Sequence, residues 1–125
     1  IFSEEGLKTY KPNTNMKIAL FEIFDETQKF VAVTLGSQGV LWVDNNSLYH
    51  CKIPKVKTVE TNCAGDVFHG ASASALSLNK SNIESIIFAS AAATLKCMQS
   101  GGIYSIPTIS LVNKFSKKIK ISKIK

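Results

Sequence analysis

Val59-Glu60-Thr61-Asn62-Cys63-Ala64-Gly65-Asp66-Val67-Phe68-His69-Gly70-Ala71 decides the reading of this chain. A β-branched, extended run ends here, a small-residue turn follows, and a helix is expected to open at or near Asp66. Such a turn aims several backbone N–H groups at one point, with the helix dipole behind them, and so forms an anion site. An Asp at the helix mouth sets a carboxylate beside the bound anion, which is electrostatically unfavourable and needs a reason. Two readings supply one. Asp66 is an ordinary N-cap, which spacing alone favours, or it is a base that takes a proton from a group attacking a bound phosphate.

Outward from this stretch, composition narrows the classes. The 125 residues suffice for one domain, and 45 % hydrophobic content argues for a folded chain rather than a disordered one. The longest apolar run, Ile86 to Leu95, is interrupted by Ser90 and too short to span a bilayer. No signal-peptide pattern precedes Glu4 and Glu5, and Ile1 is not a natural initiator, so a fragment or processed chain is expected. Cys51, Cys63 and Cys97 are odd in number and lack CxxC spacing. They read as free thiols in a reducing, cytoplasmic setting rather than as disulfides or zinc ligands. His50 and His69 are too few to revive a metal site. All 15 basic residues are Lys, six of them between Lys114 and Lys125, and the other nine balance nine acids. The excess charge therefore belongs to the tail. The absence of Arg forks argues against a nucleic-acid reader, and no membrane partner is expected.

In chain order, Ser3-Glu4-Glu5 opens a short helical turn after a strand expected to lie outside the chain. Tyr10 to Asn15 is a loop. Thr14 or Asn15 caps a helix to about Thr27, with Met16, Ala19, Leu20, Ile23 and Phe24 on one face. Phe30 to Leu35 reads as a strand buried on both faces of a largely parallel sheet. Gly36 to Gly39 turns, Val40 to Val43 is the next strand, and Ser47 to Ile53 completes a hairpin. After the quoted stretch a helix continues to about Leu78. Ser81 and Glu84 form a capping box for a helix to about Gln99, burying Ile83, Ile86, Ile87, Ala91 and Leu95 and ending at Gly101-Gly102. Pro107-Thr108 opens a last short helix. The alternating Ile and Lys beyond Ser116 suggest a strand or a frayed, solvated end.

Glu60 to Asp66 resembles the Asp-Thr-x-Gly-Ala-Gly-Asp signature of the ribokinase-type (phosphofructokinase B) sugar kinases, and Val67 to Ala71 continues the likeness. Thr34-Leu35-Gly36-Ser37-Gln38-Gly39, by itself a strand end and turn, resembles that family's Thr-Leu-Gly-x-x-Gly segment. Phe88 to Ala93 and Gly101 to Pro107 resemble its C-terminal region. The motifs occur in family order over residues 3–115. The resemblance implies an α/β, ribokinase-like fold: a Rossmann-type, largely parallel sheet flanked by helices, with an antiparallel hairpin. Residues 1–115 would form its C-terminal nucleotide-binding part and residues 116–125 a Lys-rich tail.

What the resemblance implies chemically is ATP-dependent phosphorylation of a sugar hydroxyl, with Asp66 as base and Cys63, Ala64 and Gly65 forming an anion hole. Thr34, Gly36, Gly39 and Ser90 would bind the nucleotide. Mg2+ would accompany ATP, and K+ is implied at Glu60, Asn62, Gln99, Gly101 and Ser105. Partners are a sugar, a missing N-terminal half carrying the sugar pocket, and a second copy once the protein is complete. Phe68 to Ala71, Lys96-Cys97 and Gly101-Gly102 resemble kinases of fructose-type sugars. Two positions depart from the pattern. Glu60 stands for Asp, one methylene longer, which bears on the cation site. Cys63 stands for Gly, which is strained if φ is positive, and its thiol lies beside a helix N-terminus. The alternatives are a non-catalytic nucleotide- or partner-binding fragment of a degenerate kinase, or phosphate binding through the Lys tail.

Overall fold

A computed structural model describes residues 1–125. They divide into two compact units, Ile1–Lys52 with Ile121–Lys125, and Ile53–Lys120.

The first unit is built around a sheet. Strand β1 (Phe2–Ser3) leads into helix α1 (Glu4–Tyr10), whose N-cap is Ser3: its hydroxyl accepts from the Gly6 N–H at 3.0 Å. Helix α2 (Met16–Thr27) follows, capped by Asn15 and closed by Gln28 in the left-handed region. Its buried face is Ala19, Leu20, Ile23 and Phe24, the i, i+1, i+4, i+5 stripe of a covering helix. Strand β2 (Val31–Thr34) pairs parallel with β1, so the chain does contain the end of the strand expected to lie outside it. Strands β3 (Val40–Asp44) and β4 (Ser47–Lys52) continue antiparallel, with Asp44 opposite Ser47. The two loop residues, Asn45 and Asn46, both have positive φ, as a tight hairpin turn of matching twist requires.

The core on one face joins Leu7, Leu20, Ile23 and Phe24 to Val31, Val33, Leu41 and Val43. The alternate residues Ala32, Val40, Trp42 and Cys51 are buried too, so both faces of the sheet are covered, as the continuous apolar runs predict. The sheet is mixed and contains the expected antiparallel hairpin, β3–β4. The β1–β2 pair is parallel, with α1 and α2 between its strands, while the short connections from β2 to β3 and from β3 to β4 make those pairs antiparallel. The Lys-rich end takes the strand reading, with its side chains largely exposed. Strand β5 (Lys120–Lys123) lies beside β4 at the sheet edge, and Leu48 exchanges backbone hydrogen bonds with Ile124 and Lys125. Lysines on an edge strand discourage further strand addition.

The second unit is helical. It holds α3 (Ala64–Ser77), α4 (Asn82–Cys97) and α5 (Ile109–Ser116). Small residues let α3 and α4 approach closely, and the buried hydroxyls of Ser72 and Ser85 satisfy each other at 2.8 Å. Ala91, Ala92, Val112 and Phe115 form its core, with Val56, Val67 and Phe88 packed around it. Of the residues expected inside α4, Ile86 and Ala91 are buried, while Ile83 is 37 % exposed. No helix is long and apolar enough to cross a membrane.

Two helix entries differ in quality. At α4 the capping box is complete: Ser81 accepts from Glu84 N–H, and the Glu84 carboxylate accepts from Ser81 N–H at 2.8 Å. Hydrogen bonding to Ser81, helped by Lys80, holds the Glu84 carboxyl below its ordinary value. At α3 the N-cap is Cys63, with φ 62° and no side-chain capping bond.

A left-handed non-glycine residue is strained by about 1 kcal/mol or more, offset in part by glycine's larger unfolded-state freedom. Cys63→Gly should therefore stabilise the chain by roughly 0.5 kcal/mol in denaturant melts; a loss of stability would refute the strain. The Glu84 contribution is present above the ordinary carboxylate range and lost as pH falls through the depressed folded value. Glu84→Gln should flatten the acid limb of the stability–pH curve, and Ser81→Ala should cost about 1 kcal/mol at neutral pH. An unchanged acid limb in Glu84→Gln would contradict this assignment.

Candidate functional site

In the first unit, Thr34 ends β2 and the chain then makes a 3-10 turn over Gly36–Gln38. Leu35 N–H donates to the Gly39 carbonyl at 2.8 Å, and Gly39 N–H donates to the Gly36 carbonyl at 3.0 Å. Gly36 (φ 56°) and Gly39 (φ 92°) occupy conformations that disfavour side chains. Thr34, Gly36 and Gly39 thus belong to one turn, braced by the His50 ring on the Gln38 carbonyl at 2.7 Å. No Cβ at Gly36 would meet a neighbour, so the backbone there is open to an approaching group.

In the second unit, the run before α3 is extended but is not a strand. It is tied down by the end of α4: Val59 and Glu60 N–H groups both donate to the Cys97 carbonyl, at 2.8 and 3.2 Å. Helix α3 opens at Ala64, two residues before the expected point. Asp66 is therefore the third helical residue and not the N-cap, a place that Cys63 holds. With its side chain exposed, Asp66 stands in the first turn beside the orphan N–H groups that every helix start leaves. Ala64 N–H is engaged by the Thr61 carbonyl at 3.1 Å. Gly65 is helical in conformation, and a Cβ there would meet nothing within 4 Å. One turn on, the His69 Nδ1–H donates to the Gly65 carbonyl at 2.8 Å, a bond not anticipated from sequence. Cys63, Ala64, Gly65 and Asp66 thus share one exposed helix mouth.

Ser90 does not join either group. It is 1 % exposed in the interior of α4, where a small side chain permits close packing, and its hydroxyl is not presented to a ligand arriving from solvent.

Glu60, Asn62 and Gly101 do come together through the Glu60 carboxylate, which also faces a lysine. Lys96 is completely buried, and its ammonium lies 3.4 Å from the Glu60 carbonyl and 3.7 Å from Glu60 Oε1. Glu60 Oε2 accepts from the Gly101 N–H at 2.9 Å. That bond, with help from Lys96, Gly102 N–H and the Asn62 side chain, holds the Glu60 carboxyl below its ordinary value despite partial desolvation. The other residues of the set expected to hold K+ have hydrogen bonds of their own. The Gly101 carbonyl accepts from Tyr104 N–H at 3.0 Å, and the Ser105 hydroxyl donates to the Gly102 carbonyl at 2.8 Å. Gln99 has an exposed side chain, and its N–H donates to the Lys96 carbonyl at 3.2 Å. Lys96 thus sets a fixed positive charge beside Glu60, the first residue of that set. Sequence reading missed the burial of Lys96. The signal was available, since Lys96 continues the stripe of Ile86, Ala89 and Ala92 at helical spacing.

A family model of the pfkB carbohydrate kinases matches residues 3–109. A ribokinase of Lactococcus lactis is 35 % identical over 96 % of this chain and 39 % of its own length. The crystal structure of a ribokinase from Thermotoga maritima is 36 % identical, with a TM-score of 0.83 over 92 % of this chain and 40 % of that one. Phosphofructokinase-2 from Escherichia coli, solved in complex with potassium, is 27 % identical with a TM-score of 0.79, over 93 % of this chain and 39 % of that one. The chain spans 39 to 40 % of the length of these relatives. With a family model matched across most of its residues and the fold shared with solved kinases, the chain belongs to the pfkB family of carbohydrate kinases.

Proposed function

We propose that this chain supplies the nucleotide-phosphate site and the general base of an ATP-dependent sugar kinase. The observation that carries the reading is Gly65. Its backbone is helical and the space around it is open, so neither conformation nor packing calls for glycine there. Alanine would favour the helix by up to about 1 kcal/mol. A glycine kept against that preference suits a helix mouth that a bulky anion approaches closely.

In this reading the N–H groups of Cys63, Gly65 and Asp66 face the transferred phosphoryl group, where the helix dipole favours negative charge, while the Ala64 N–H stays with the Thr61 carbonyl. Asp66 orients the sugar hydroxyl and takes its proton as it attacks. Its place inside the first turn, with no capping duty, leaves the carboxylate available for that task. In the first unit, considered by itself, the bare backbone of the Thr34–Gly39 turn suits a nucleotide contact. Magnesium, when bound with ATP, neutralises phosphate charge.

Calorimetric titration of Mg-ATP into the chain tests the site. Gly65→Ala should melt no lower than the parent yet bind Mg-ATP at least about tenfold more weakly, the effect of a methyl group in an anion cradle. Unaltered affinity in that variant would remove the phosphate assignment. In the complete kinase, Asp66→Asn should keep nucleotide affinity and lose roughly 10²- to 10⁴-fold in turnover, the usual contribution of a positioned base. Normal turnover in Asp66→Asn would rule out the base.

A further inference from the structure

We propose that the outer edge of β5 is a docking surface for an extended acidic peptide, which adds to the sheet as a further strand and answers its lysines with carboxylates. The proposal goes beyond the kinase reading and uses none of its residues. Lys114, Lys117, Lys118, Lys120, Lys123 and Lys125 are all exposed, and none of them has an ion-pair partner. No acid lies between Lys114 and Lys125, whereas elsewhere nine lysines balance nine acids. This positive charge is uncompensated within the chain, so the complementary partner is negative.

The backbone selects a peptide among negative partners. Strand β5 ends the strand order, and its one strand neighbour is β4. Its other edge carries N–H and C=O groups without ladder partners, and an extended chain pairs both kinds where a phosphate polymer or a lipid head group cannot. The edge is open: Lys120, Ser122 and Lys123 are exposed and Ile121 is half-buried. Strand alternation puts Lys120 on one face and Lys123 on the other, so an added strand meets a lysine on both faces. Opposite charges across a strand pair stabilise it, and like charges destabilise it. The lysines therefore keep a second copy of β5 off this edge and admit an acidic strand. The strand carries neither Arg nor an aromatic ring, the groups that read or stack nucleic-acid bases.

Fluorescence anisotropy with the full chain tests this, using a labelled valine–threonine peptide that carries glutamate at every third position and so on both strand faces. It should bind saturably at low ionic strength and weaken as salt rises. A peptide of equal charge with N-methylated valines and threonines cannot complete a ladder, and should bind at least about tenfold more weakly. The same peptide with lysine in place of glutamate should not bind. Lys120→Glu with Lys123→Glu should weaken the glutamate peptide by at least about tenfold and admit the lysine peptide. Equal affinity for the N-methylated peptide would mean attraction by charge alone and overturns the docking edge, as does a glutamate peptide that shows no saturable binding. Tighter binding of polyphosphate or of phosphatidylserine vesicles, per negative charge, would assign the patch to phosphate or lipid and overturns it as well. Failure of the kinase reading would show in the Mg-ATP titration and would leave these measurements unchanged.

Discussion

A buried lysine is tolerated only when its charge is answered, and the answer to Lys96 organises the second unit. Glu60 meets it with a backbone carbonyl and a carboxylate oxygen, and its other carboxylate oxygen holds the Gly101 N–H. Two more hydrogen bonds run from Val59 and Glu60 to the Cys97 carbonyl. One residue thereby ties the run before α3 to the C-terminus of α4 and to the left-handed Gly101-Gly102 turn. Each bond helps to hold the next, and removing Glu60 would leave the buried Lys96 ammonium without compensation. This is why an extended segment with no sheet partner keeps a defined course.

The helix mouth depends on that course. Cys63 adopts a left-handed conformation without a capping side chain, an unfavourable start that local propensity does not explain. It persists because the residues on both sides are over-determined: Glu60 is anchored upstream and α3 packs against α4 downstream through Ser72 and Ser85. The strained turn brings the chain into the helix so that Gly65 and Asp66 stand in the first turn with their N–H groups outward. An entry capped by a side chain would have filled the same N–H groups from within.

Much of the site was legible because it is local. The glycines of the Thr34–Gly39 turn, the Ser81–Glu84 box and the small-residue entry to α3 are decided by residues within a turn of one another. What was not legible is the assignment of partners. Asp66 read as a cap by spacing, yet the helix begins earlier because Thr61 and Cys63 carbonyls already accept from Ala64 and Val67. Ser90 read as a ligand contact by position, yet the packing of α4 turns it inward. Glu60 read as a metal ligand, yet a lysine 36 residues away takes its carbonyl and faces its carboxylate.

By itself the sequence determined the elements and the family: the apolar periods of α2 and α4, the hairpin with its two Asn residues, and the ordered motifs that mark a pfkB kinase. These follow from short-range sterics, capping chemistry and side-chain period, all of which act within a few residues. Tertiary structure alone decided that the Ile–Lys end becomes an edge strand against Leu48, that Cys63 is left-handed, and that Lys96 is buried against Glu60. Each of those depends on groups far apart in the chain, and no local rule can choose between a solvated lysine and one buried against a distant carboxylate.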